Sequence, residues 1–214
     1  EILCGGKSAH GAMPQKGINA VSVLMRFLGE LDFDSSGIND FIRFYNRHIG
    51  FGLSGEQIGC GKLKDDISGS LIWNTGMLSM DSESVCVTIN VRCPVSFCDE
   101  DVYAAIRPVV EPYEIGIVKK MYKAPLYYST DSDIVRTLLD VYRDGTGDRE
   151  SQPLVIGGGT YAKMLPNVVA FGPLFAGDPV TEHQPDECID LERLVQNAQI
   201  IANAIVKLAN LPLE

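Results

Sequence analysis

The sequence predicts an α/β protein in two parts, and three observations carry that prediction. Within residues 1–124 the local patterns run strand, helix, strand, strand, helix, strand, which packs as an α/β sandwich with helices on one sheet face. Residues 125–214 instead alternate helical periodicity with continuous apolar runs, the pattern of strands covered on both faces. Between the two, Pro125 and the cluster "YYSTDSD" break all regularity.

Each element has its own local reason. "EILCGG" reads as an opening strand, and Asn19 is placed to cap a helix over 19–31 that repeats Val21, Leu24, Phe27, Leu28 and Leu31 on one face. A second helix over 36–49 carries Ile38, Phe41, Ile42 and Tyr45, and glycines then interrupt the chain. His48 reads as a cation at the end of that helix. "LIWNTGMLSMDSESVCVTINVRCP" is a hairpin turning at 81–84. Its second run sends Val85, Val87, Ile89 and Val91 to one face and Cys86, Thr88, Asn90 and Arg92 to the other. A helix over 99–110 with an acidic first turn and a strand over 114–122 complete the first part. The second part reads as a helix over 132–143, an apolar strand "PLVIG", a glycine turn, the apolar run "NVVAFGPLF", a loop carrying His183, and a closing helix capped by Asp190. That helix repeats Leu191, Leu194, Val195, Ala198, Ile201, Ala202 and Ile205 on one face.

Composition narrows the function. Hydrophobic residues make up 45% and charged residues 21%, ordinary for a soluble globular chain, and the net charge of −10 argues against nucleic acid, whose binding needs clustered Lys and Arg. No apolar run approaches eighteen residues, and residues 1–20 have no signal-peptide pattern, so no membrane partner is expected. The six cysteines form no C-x-x-C pair and read as reduced thiols of a cytoplasmic protein. A start without Met, halfway into a strand, and a second sheet too small to complete itself lead us to expect a segment of a longer chain.

Four stretches could carry chemistry. "GKSAHGAMPQKGINA" sets His10 among small residues between a strand and a helix; on this stretch alone a surface histidine is the simpler reading. Arg92 ends the polar face of its strand and could equally be a surface arginine. "GGGTYAK" follows an apolar strand and offers backbone N–H groups and the Thr160 hydroxyl to a carboxylate or phosphate, although such runs are often plain turns. "EHQPDE" sets His183 among acids just before a helix, a setting for a metal ligand or for a solvated loop.

Taken in order, "GKSAHGAMPQKGINA", "VTINVRCP", "GGGTYAKMLPNVVAFGP" and "EHQPDECI" resemble the co-catalytic zinc peptidase family of aminoacylase, carnosinase-type dipeptidases and carboxypeptidase G. The segment between the first helix and the hairpin, with "GGTYA", looks most like the bacterial dipeptidase V branch. The resemblance implies a ferredoxin-like α/β sandwich lid over 1–124, followed by the C-terminal part of an α/β zinc-peptidase catalytic domain over 125–214. It implies a pair of zinc ions per intact active site, other divalent metals being alternatives, and a short peptide with a free C-terminal carboxylate as substrate. His183 matches the family's last metal ligand; the remaining ligands and the general base precede the lid in the family's order, so the chain alone is expected to be inactive. His10 would donate to the oxyanion, while Arg92, Gly158, Gly159 and Thr160 would receive the carboxylate. Lys163 departs from the arginine that dipeptidase relatives often carry. A homodimer through the lid is implied as well. Two rival readings stay open: a non-catalytic binding or dimerisation module, and a cysteine hydrolase using Cys4 or Cys188 with a histidine.

Overall fold

The computed structural model of this chain describes every residue except Ala12, Gly157, His183, Gln184, Leu213 and Glu214. It forms two compact units, Glu1–Pro125 with Val155–Gly158, and Leu126–Leu154 with Gly159–Glu214. Among the described residues no helix is long and apolar enough to cross a membrane.

The first unit is a mixed α/β body. Helices α1 (Ala20–Leu28) and α2 (Ser36–His48) precede a two-residue pair, β1 (Lys64–Asp65) with β2 (Gly69–Ser70), and then the main hairpin, β3 (Ile72–Met80) with β4 (Val85–Arg92). Helix α3 (Asp99–Val110) follows. Both sheets are antiparallel. One core joins Met25 of α1, Ile42, Phe44 and Tyr45 of α2, Trp73 of β3, and Val102, Ile106 and Val110 of α3, with Val87, Ile89 and Val91 packed against it. The alternation read from β4 therefore holds over Val87, Ile89 and Val91, which pack against the core. On β3 the apolar positions Trp73 and Leu78 are out of phase with a strict two-residue period, and the strand resolves this with a bulge between Thr75 and Met77. The extra residue, Gly76, shifts the register, so that Trp73 opposes Val91, Thr75 opposes Ile89 and Leu78 opposes Val87.

Helix α1 is anchored at its first turn. Asn19 Oδ1 accepts from Val21 N–H (2.9 Å) and Ser22 N–H (3.4 Å), while its Nδ2 donates to the Thr75 carbonyl (2.7 Å). One side chain thus satisfies two free donors of the helix and fixes the helix to β3. The buried Ser22 hydroxyl donates to Gly50 O (2.5 Å) and lies 3.0 Å from the Tyr45 hydroxyl. The predicted stripe of α1 holds in part: Val21 and Leu28 pack against the core and Met25 and Ser22 are buried, whereas Phe27 and Leu31 are exposed. Helix α2 follows its prediction, and His48 at its end bridges Gln57 O and the Tyr113 hydroxyl, each at 3.2 Å.

The second unit pairs α4 (Asp133–Thr146) with α5 (Leu191–Ala209). Leu138 and Val141 meet Phe175, Ile200 and Ala204. Gly145 makes this approach feasible, since a Cβ there would stand 2.4 Å from Ile200 Cγ1. The face predicted for α5 is not the one that packs: Leu191, Leu194, Val195, Ala198, Ile201, Ala202 and Ile205 are all exposed, and Ile200 and Ala204 face α4 instead. An amphipathic helix buries whichever face meets a neighbour, and α4 contacts the narrower one.

The expected strands at 114–122, 153–157 and 167–175 are absent among the described residues, and the opening run makes only one bridge, Lys7 to Ile18. Their composition is strand-like, but a strand exists only through a ladder with a neighbour. Without one, Val118 (82% exposed) and Leu154 (85%) stay in solvent.

Two stability tests follow from these anchors. Asn19→Ala removes the cap and the link to β3, and thermal unfolding should report a loss of about 1–2 kcal/mol. Asn19→Asp keeps the cap acceptor but has no proton for the Thr75 carbonyl, so it should be destabilised as well; wild-type stability would show that this link contributes nothing. Asp65 accepts from Ile67 N–H, Ser68 N–H, the Ser68 hydroxyl and Ser96 N–H. These bonds, that from Ser68 N–H foremost, hold its carboxyl well below the ordinary carboxylate range. Its stabilising effect is therefore complete above about pH 4 and declines below that as the native carboxylate takes up a proton. Acid titration of unfolding should show Asp65→Asn weakening the protein at neutral pH and flattening that acid decline; an unchanged profile would contradict the assignment.

Candidate functional site

The first unit brings two of the predicted residues to one place. Arg92 opposes Ile72 and Asn90 opposes Asn74, so these four share the hairpin face turned away from the valines. Arg92 is half-buried, and its Nε is enclosed without a hydrogen-bond partner among the described residues. A buried guanidinium nitrogen left this way is costly unless an acceptor arrives. The loop carrying His10 runs beside it. The His10 carbonyl accepts from Met13 N–H (2.8 Å), tightening the turn, and a Cβ built on the adjacent Gly11 would lie 3.7 Å from Asn74 Nδ2 and 3.9 Å from Arg92 Nη2. His10 itself is exposed, and the loop that carries it borders the polar sheet face. The place of Asn74 on this face is invisible in the sequence, because a lone asparagine in a strand shows nothing until its register is known.

The second unit holds the other predicted residues. Thr160 caps the short helix Tyr161–Met164, its hydroxyl oxygen accepting from Ala162 N–H (3.2 Å), which leaves its proton available to a ligand. Gly159 and Thr160 are exposed, and Gly158, grouped with the first unit, is half-buried. Neither glycine has positive φ; nothing lies within 4 Å of a Cβ on Gly159, and only Ile156 Cδ1, at 3.8 Å, approaches one on Gly158. Folding alone therefore does not demand glycine at either position.

His183 lies outside the described residues, but the ends of its loop do not. Thr181 Oγ1 donates to the Cys188 carbonyl (3.1 Å) and accepts from Cys188 N–H (3.3 Å), stapling the loop at its base. Asp190 then caps α5 by accepting from Glu192 N–H (2.8 Å) and Arg193 N–H (3.1 Å). A cleft of about 490 Å³ beside the staple is lined by Pro173, Leu174, Thr181, Glu182, Glu187 and Cys188, with Ile189. The staple engages the Cys188 backbone, and the Cys188 thiol is free and exposed. Among the described residues no three His, Cys, Asp or Glu side chains converge to hold a metal.

Comparison with known proteins adds the context. Residues 1–97 match the peptidase dimerisation domain of the M20 type. Across 204 residues, 95% of the chain, it is 35% identical to a "putative dipeptidase" of Staphylococcus epidermidis. It is 31% identical to one of Staphylococcus saprophyticus and 32% to one of Staphylococcus aureus over the same length. The chain spans 43% of the length of each of these relatives. The chain is thus similar to the M20 peptidase dimerisation domain over its first 97 residues and to dipeptidase relatives over 204.

Proposed function

We propose that the chain is part of a metal-dependent dipeptidase or aminoacyl hydrolase of the cytoplasm, acting on short peptides with a free C-terminal carboxylate. The observation that carries this is the polar hairpin face, where Arg92, with an unpartnered Nε, lies under the His10–Gly11 loop in a chain similar to dipeptidase relatives. In this reading residues 1–124 are the lid and 125–214 belong to the catalytic domain. Arg92 receives the substrate carboxylate as a charge-assisted partner, and the reading gives Gly158, Gly159 and Thr160 the part of backbone and hydroxyl donors to a carboxylate. His10 donates a hydrogen bond to the oxygen on which negative charge develops when the scissile carbonyl is attacked.

The metal, zinc by resemblance, would polarise that carbonyl and activate water. The described residues do not make a metal site by themselves. The reading gives His183 the place of one ligand and assigns the others, with the general base, to residues outside these 214. Two copies would pair through the region that matches the dimerisation domain. That same match favours a second reading, a dimerisation module without catalysis of its own.

Kinetics on the enzyme carrying this chain separates the two. His10→Ala should keep fold and metal content yet lower kcat by about 10²–10³, the usual effect of removing an oxyanion donor. Arg92→Ala should leave thermal stability nearly unchanged and reduce kcat/KM by about 2–5 kcal/mol. Unaltered kinetics in both variants would favour the module. The 214-residue chain by itself should show no tight stoichiometric zinc binding in calorimetry, because a tight site takes about four ligands; tight binding would reveal a ligand set not foreseen here.

A further inference from the structure

We infer that Gly6 and Gly17 are positioning residues for His10: their missing side chains let the two arms of its loop close on each other, and that closure sets where His10 is held. This rests on the oxyanion reading of His10 given above and adds the residues that fix its backbone. The arms meet in a clamp of two antiparallel bonds, Lys7 N–H donating to Ile18 O (3.0 Å) and Ile18 N–H to Lys7 O (2.9 Å). Neither glycine leaves room for a side chain. A Cβ on Gly6 would stand 2.5 Å from Ile18 O and 3.0 Å from Ala20 N. One on Gly17 would stand 2.6 Å from Lys7 O and 2.8 Å from Ala9 Cβ. These neighbours are backbone atoms or a Cβ fixed to the backbone, so none can swing aside. Gly17 is extended (φ −112°, ψ −176°), a conformation open to any residue, so space and not backbone geometry demands glycine there.

Both contacts at Gly17 fall on the path to His10. Lys7 O is the acceptor of one clamp bond, and Ala9 directly precedes His10. On the return arm, successive turns tie His10 to Gly17: His10 O accepts from Met13 N–H (2.8 Å), Met13 O from Lys16 N–H (3.1 Å) and Pro14 O from Gly17 N–H (3.0 Å). Past the clamp, Asn19 caps α1 and donates to the Thr75 carbonyl of the hairpin. A methyl group on Gly17 would therefore part the arms at their base and shift Ala9 and His10 with respect to β3 and β4. A displacement of about 1 Å at a group that acts on the reacting atoms can slow a reaction by up to about 10²-fold. Gly5, by contrast, has nothing within 4 Å of a Cβ, so alanine there leaves the clamp alone.

The test compares Gly17→Ala, Gly6→Ala and Gly5→Ala in the enzyme carrying this chain, by hydrogen exchange at the Lys7 and Ile18 amides and by hydrolysis of unblocked dipeptides. Gly17→Ala and Gly6→Ala should stay folded, exchange both amides about tenfold faster and lower kcat about tenfold, with KM within about twofold of wild type. Gly5→Ala should match wild type throughout. In a His10→Ala background, Gly17→Ala should lower kcat no further, because the group it displaces is gone. A kcat loss that persists in that background, or loss of the fold in both clamp variants, would show that the glycines serve the fold and not His10. If the clamp stays closed, or opens while kcat keeps its wild-type value, and His10→Ala still lowers kcat, the positioning assignment is wrong and the His10 reading stands. If His10→Ala itself has wild-type kinetics, the oxyanion reading falls, and this inference falls with it.

Discussion

The two-residue period of the β3–β4 hairpin is the constraint on which the first unit depends. A strand sends alternate side chains to opposite faces, so a single slip in register would exchange core and surface along its whole length. Here Val87, Ile89 and Val91 pack against the helical core, and that choice alone sends Thr88, Asn90 and Arg92 the other way. The core thus fixes the site indirectly: a charged residue is held at a defined place because its neighbours are apolar. The bulge at Gly76 is part of the same constraint. It lets Trp73 and Leu78 both face the helices and keeps Asn74 on the face of Arg92.

Helix α1 extends that control to the loop before it. Asn19 joins the start of the helix to Thr75, beside the bulge, so the segment carrying His10 and Gly11 enters the helix at a fixed distance from the hairpin. The bridge between Lys7 and Ile18 closes the loop from the other end. Gly11 is thereby brought against Asn74 and Arg92 by backbone and cap bonds. Mobility in a loop of small residues would otherwise cost a ligand site much of its affinity, since ordering must accompany binding.

Much of this was legible from sequence where the signal is local. The β4 alternation, the Asn19 and Asp190 caps and helix α3 all reflect interactions among residues close in the chain. The misses were tertiary. The apolar runs at 114–122 and 153–156 have strand composition but no ladder partner among the described residues, and no local pattern reveals whether a partner exists. The stripe on α5 was seen, yet the face that packs is set by α4 and by Gly145, which admits Ile200. The bulge left a trace in the phase change between Trp73 and Leu78, with glycine at the switch. Arg92 and His10 were singled out by resemblance, and the nearness of Gly11 to Arg92 and Asn74 is a tertiary contact that no local pattern carries.

The central claim is that the polar hairpin face is the substrate-facing side of this unit. A crystal structure of the enzyme carrying this chain, bound to a phosphinate dipeptide analogue, tests it most directly. The account predicts the analogue's terminal carboxylate within hydrogen-bond distance of the Arg92 guanidinium, with the His10 ring against a phosphinate oxygen. An analogue held elsewhere, with Arg92 and His10 buried in contacts between subunits, would contradict it.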